Sequence, residues 1–157
     1  MTTSRAGAVP VAVDRASIEH RLLTMRKSVV QLDSLGALDS ARLESDPGTG
    51  LALERVLALL HDLAAAINRH VCAGVLGETP QTPAASFGAA ARAGLIDGGL
   101  AAALAPADGP HHVLVQLRLD TEPGEIAAIV SAARSGYREY VRQVTHWITA
   151  NAPGRTG

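Results

Sequence analysis

Leu51-Ala52-Leu53-Glu54-Arg55-Val56-Leu57-Ala58-Leu59-Leu60-His61-Asp62-Leu63-Ala64-Ala65-Ala66-Ile67-Asn68-Arg69-His70-Val71 is the stretch that decides the fold class. Leu53, Val56, Leu57, Leu60, Leu63, Ala64, Ile67 and Val71 recur at helical spacing, and Leu59 widens the stripe they make. A stripe this broad predicts a long helix buried on more than one side. The material available to cover it is aliphatic: aromatic residues make up only 3% of the chain. Leu, Ala, Val and Ile must build the core, which favours helix-on-helix packing over a sheet, whose strands draw on aromatic and β-branched residues.

Working outward, Pro47-Gly48-Thr49-Gly50 reads as a break before this helix, with Thr49 as its cap. Leu38 to Asp46 reads as a connector of one or two helical turns. Upstream, Ile18, Leu22, Met25, Val29 and Leu32 recur at steps of 4, 3, 4 and 3 and predict a helix over Asp14–Leu35. Asp14 or Ser17 can cap it, and Gly36 ends it at a position that wants positive φ. Arg15 and Glu19, four apart, support its wet face.

Downstream, Gly74 and Gly77 are expected to close the central helix, and Glu78 to Pro83 to form a polar loop. Ala84 to Ala93 reads as a small-residue helix anchored by Phe87 and ended by Gly94. Gly98 to Leu104 is a short helix capped by Asp97, followed by a turn at Pro106, Asp108, Gly109 and Pro110. Pro123 suits a first turn. Glu125 to Ile148 then carries Ile126, Val130, Ala133, Tyr137, Val141, Val144 and Ile148 on one stripe, flanked by Tyr140 and Trp147. Val113 to Leu117 could be a strand by residue type but has no partner strand. The expectation is an all-α, up-and-down bundle of three long helices plus short ones. It forms a single domain over 13–150, with a flexible arm at 1–12 and a flexible tail at 151–157.

The 157 residues are 47% hydrophobic and 18% charged, an ordinary globular composition. A net charge of −1 excludes a strongly basic domain that binds nucleic acid by bulk charge. The single cysteine, Cys72, precludes an intrachain disulfide and suggests a reducing cytoplasm, where it reads as a small buried hydrophobe. No apolar run approaches ~18 residues, so no membrane span is expected. Motifs for ATP, dinucleotide, zinc and serine-hydrolase chemistry are absent, and no cofactor is expected. His61, Asn68 and His70 are scattered, and neither His61 with His70 nor His111 with His112 has the spacing of a helical metal pair.

Chemistry-bearing groups concentrate in Gly109-Pro110-His111-His112-Val113-Leu114-Val115-Gln116-Leu117-Arg118. On a helix His112 and Gln116 share a face. Histidine serves as an acid or base near neutral pH, and arginine stabilises phosphate or developing negative charge. These are ingredients of a phosphodiester-cleaving site, and equally of the solvated ends of a connector. Arg134, Arg138 and Arg142 recur every four residues. They form either a stripe for RNA phosphates or an acidic partner, or a solvated face opposite the apolar stripe. Asp62 lies beside the central stripe, either exposed on its flank or turned into a polar pocket.

From Val13 to Ile148, roughly 135 of the 157 residues, the chain resembles the HepT-like toxins, a branch of the HEPN superfamily. VDRASIEHRLLTMRKSVVQL is similar to that family's opening helix. LERVLALLHDLAAAINRHV is similar to its second, with Asp62 at a frequently acidic position. ETPQTPAASFGAAARAGLIDGGLAAAL is similar to its proline-marked loop and small-residue helix. GPHHVLVQLRLD falls where the family has R-N-x-x-x-H-x-Y. The resemblance implies a helical homodimer with a composite ribonuclease site near the two-fold axis. It also implies a nucleotidyltransferase antitoxin that adenylylates the motif tyrosine.

Residue by residue the motif departs. His111 stands for the arginine, His112 for the asparagine, Gln116 for the catalytic histidine and Arg118 for the tyrosine. Gln116 cannot serve as a base, and Arg118 offers no hydroxyl. One account is a retained fold that binds a partner after losing the nuclease chemistry. Another is a rewired, metal-independent ribonuclease in which His111 and His112 of two protomers form an acid–base pair. A third is a helical dimerisation module with no nucleic-acid role.

Overall fold

A computed structural model describes residues 13–36, 38, 40–105 and 125–151. Six helices lie among them: α1 (Arg15–Ser34), α2 (Ser40–Ser45), α3 (Pro47–Val75), α4 (Pro83–Arg92), α5 (Gly98–Leu104) and α6 (Glu125–Asn151). There is no strand among the described residues, and the fold is an all-α bundle. No described helix is long and apolar enough to cross a membrane. The 1–12 arm, the 152–157 part of the tail and the 106–124 stretch, with the expected turn, Val113–Leu117 and Pro123, lie outside the described residues.

Local chemistry sets the helix ends. Asp14 caps α1, its Oδ1 accepting from the Ala16 N–H at 3.1 Å and the Ser17 N–H at 3.4 Å, so Ser17 is not the cap. Gly36, at φ 73°, turns the chain away after α1, as its lack of a Cβ allows. Helix α3 exceeds the expectation by four residues at each end. Pro47 does not break it: proline at the first helical position has no N–H to forfeit and a φ already suited to the helix. The cap is Asp46 instead of Thr49, which donates its hydroxyl to Asp46 Oδ2 at 2.6 Å. Gly74 stays helical. The helix ends at Val75, and past Leu76 the chain turns at Gly77 (φ 67°), with the Glu78 N–H reaching back to the Cys72 carbonyl at 3.3 Å. Thr82 and Asp97 cap α4 and α5 by accepting from Ala85 and Leu100 at 3.0 and 2.7 Å.

Two long helices run antiparallel to α1. Near its start, the Asp14 N–H donates to His70 Nε2 of α3 at 2.8 Å; near its end, Gln31 shares a groove with Ala52 and Val56. On α6, Thr145 accepts from Arg26 at 2.9 Å while Arg134 reaches the Gly36 carbonyl at 3.0 Å. Helix α3 is flanked by α1 on one side and α4 on another, so its broad stripe is buried on more than one side. Leu59 is the exception. It is 43% exposed, because the side of α3 it shares with Leu51 (53% exposed) has no helix over it among the described residues. Helix α5 seats against α6 at Gly136, where a Cβ would lie 2.9 Å from Leu104 Cδ2.

The core joins Ile18, Leu22 and Met25 of α1 to Leu57 and Leu60 of α3, Phe87 of α4, Leu104 of α5 and Val144 of α6. Tyr137 and Tyr140, both tyrosines of the chain, are fully buried in it. Tyr140, expected only beside the stripe, organises a polar chain through the core. Its hydroxyl lies 2.6 Å from Asn68 Oδ1 and 3.1 Å from the Ala64 carbonyl. Asn68 Nδ2 donates to Ser86 Oγ at 3.2 Å, and Ser86 donates to the Pro83 carbonyl at 2.6 Å. A buried acceptor left without its donor costs about 1–3 kcal/mol. Tyr140→Phe is therefore expected to lower unfolding free energy by about that amount, read as a reduced urea midpoint at unchanged slope; an unchanged midpoint would show that the network contributes nothing.

Candidate functional site

The motif positions His111, His112, Gln116 and Arg118 lie outside the described residues, as does the whole 109–118 stretch. The remaining predicted site residues, Asp62, Arg134, Arg138 and Arg142, are placed on α3 and α6.

The arginine stripe occupies one side of α6, and its groups are engaged within the chain. Arg134 is only 24% exposed in its side chain and lies against the end of α1. Its Nη2 donates to the Leu32 and Gly36 carbonyls at 3.1 and 3.0 Å, and its Nε sits 3.3 Å from Asp33 Oδ1, off the hydrogen-bonding axis. A cation there adds a donor to carbonyls at and just past the end of α1 and complements the negative end of its dipole. Arg138, one turn on, pairs with the same carboxylate through Asp33 Oδ2. Arg142 forks onto Glu139, its Nε 2.8 Å from Oε1. Gln143 ties that carboxylate to the next element: its Nε2 lies 2.8 Å from both Glu139 Oε2 and Asp97 Oδ2, and its Oε1 accepts from the Asp97 N–H at 2.8 Å.

These contacts shift protonation in a consistent direction. The Arg142 guanidinium, then the Gln143 amide, pull the Glu139 carboxyl down to about 2. The Leu100 N–H and then Gln143 lower Asp97, Thr49 lowers Asp46, and Arg92 lowers Glu78, to which it is bonded at 2.9 Å.

Asp62 is exposed on the flank of α3. It lies near enough to the Tyr137 phenol to add to the effect of burial, which raises that group well above its usual range. The Tyr137 hydroxyl is fully buried and has no hydrogen-bond partner among the described residues. The scattered polar residues of α3 have structural positions. His61 packs its ring 5.8 Å from that of Phe87, Asn68 joins Tyr140 to Ser86, and His70 holds the start of α1. Cys72 is buried and its thiol pKa is raised by desolvation, so it is not poised as a nucleophile. Among the described residues, no cluster of His, Cys, Asp and Glu is arranged to hold a metal.

Grooves open on the surface among the described residues. One, of about 470 Å³, lies between the α4–α5 turn and the end of α6, with Asp97, Arg142, His146 and Trp147 on its walls. Another, of about 380 Å³, runs along α1 and α3 between Gln31, Gly48, Leu51, Ala52, Arg55, Val56 and Leu59. Sequence reasoning missed the second as a site. The signal available was Leu51, Arg55 and Leu59 at steps of four, lying off the main stripe.

The chain matches none of the protein-family models against which it was scanned, and a search of curated proteins finds no match. The fold therefore defines it as a helical-bundle protein, and its function rests on its own residues.

A carboxyl whose pKa is lower folded than unfolded stabilises the fold fully above its unfolded value. That contribution is lost as pH falls through the folded value. With Glu139, Asp97, Asp46 and Glu78 all lowered, the urea midpoint is expected to stay flat near neutrality and to fall on acidification from about pH 4.5 toward pH 2. Glu139→Gln is expected to flatten the acid end of that fall. A midpoint that rises on acidification would contradict these assignments.

Proposed function

We propose that this protein is a HepT-like helical homodimer whose ribonuclease-type motif has lost its chemistry, and that it acts by binding a partner, a nucleotidyltransferase-type protein. The order of elements supports this reading: a long first helix, the short α2, a long α3, then a proline-started helix carrying Phe87, a short helix and a long last one. The substitutions in the motif support the loss of chemistry. Gln116 brings no titrating group where the family's histidine stands, and Arg118 brings no hydroxyl to adenylylate.

The observation that carries the reading is the neutralisation of the arginine stripe. Asp33 faces both Arg134 and Arg138, and Glu139 holds Arg142. A phosphate backbone would have to displace these carboxylates, and Arg134 would also have to leave the α1 carbonyls it caps. A face so engaged serves a scaffold better than a nuclease.

The purified protein is expected to leave RNA intact across pH 5–9 and with or without divalent ions. Cleavage by the wild type that disappears in a His111→Ala/His112→Ala double variant would overturn the proposal in favour of a rewired histidine site. Gel-resolved products from a labelled transcript give the readout.

A further inference from the structure

We infer that the solvent side of α3 is a self-complementary surface on which a second copy of this chain docks antiparallel, with Arg55 of each protomer paired to Asp62 of the other. This rests on the dimer half of the reading above and specifies the surface.

The face is built from Leu51, Arg55, Ala58, Asp62, Ala66 and Arg69, at steps of 4, 3, 4, 4 and 3. That is the spacing of a helix–helix seam, on the side of α3 away from its buried stripe. Leu51 and Leu59 are 53% and 43% exposed, unusual for leucines of a well-packed helix, and both edge the groove described above. Ala58 and Ala66 are small enough for two helices to approach closely. Arg55 and Asp62 are exposed, and neither makes an ion pair or hydrogen bond among the described residues. Arg15, Arg92, Arg134, Arg138 and Arg142 pair with carboxylates of their own chain, whereas Arg55 and Asp62, of opposite charge and seven residues apart on one face, have no ion-pair partner among the described residues.

Two turns of helix separate them. Packing α3 against its own copy about a two-fold axis between Ala58 and Leu59 brings Arg55 over the second copy's Asp62, and Asp62 over its Arg55. The same register sets Leu51 opposite Ala66 and Leu59 opposite Ala58. An isologous contact of this kind satisfies both charges twice and covers both leucines. The alternative pairing of Asp62 with Arg69 shifts the axis toward the helix end and leaves Leu51 beyond the facing helix, so it covers less. From Leu51 to Arg69 the seam is roughly 27 Å long at ~1.5 Å per residue.

Sedimentation equilibrium of the full chain, with charge reversals, tests this. The wild type is expected at twice the 16.2 kDa chain mass. Arg55→Asp and Asp62→Arg are each expected to weaken the dimer by at least about tenfold, and the two together in one chain to restore it. Both side chains are exposed, so circular dichroism should show all three variants folded. A dimer indifferent to the reversals would overturn this surface and leave a dimer through another face. A wild-type monomer at all accessible concentrations would overturn both the surface and the homodimer. Single reversals that weaken association without rescue in the double variant would overturn the Arg55–Asp62 pairing.

Discussion

The hydroxyl of Tyr140, sealed in the core against Asn68 and the Ala64 carbonyl, is the contact around which the bundle is registered. An aliphatic core is tolerant: leucines and alanines slide past one another at small cost as long as volume is conserved. A buried polar chain is not, because each of its groups must meet a partner or lose the hydration it gave up. Tyr140, Asn68, Ser86 and the Pro83 carbonyl together fix how α6, α3 and the start of α4 sit relative to one another. The Asp33 clamp then fixes α6 against the far end of α1.

That arrangement explains why the exposed chemistry is distributed as it is. Helix α6 spends Arg134 and Arg138 on Asp33 of α1 and pairs Arg142 with Glu139 of its own surface. Helix α3 is covered by α1 and α4 but keeps one side open among the described residues, and Arg55 and Asp62 lie there beside exposed leucines. One long helix thus locks the fold while another offers a surface. Both outcomes follow from where acidic residues fall: Asp33 and Glu139 lie within reach of α6 arginines, whereas Arg55 makes no ion pair among the described residues.

Much of this was legible in the residue order. The helical period of α1, α3 and α6, the caps Asp14 and Asp97 and the stops Gly36 and Gly94 follow from local rules and hold in the structure. The start of α3 differs from the expectation: Pro-Gly-Thr-Gly carries turn residues, yet Asp46 as cap and Pro47 in the first turn make it a helix start. The polar core was not legible. Asn68, Ser86 and Tyr140 are 18 and 72 positions apart from Asn68 outward, and no local pattern joins them. The same holds for the clamp between Asp33 and arginines about a hundred positions away. For Asp62 the flank placement, one of the two readings, is the one found. The histidine pair and its neighbours lie outside the described residues.

The central claim is that the cationic side of α6 serves the fold instead of a phosphate backbone. The measurement that tests it most directly is the salt dependence of RNA binding by the intact protein. Binding weak at low salt, with a log–log slope near zero, is the result expected. Tight binding with a slope corresponding to several phosphates, lost on replacing Arg138 and Arg142 with alanine, would contradict it and return α6 to the role of a nucleic-acid interface.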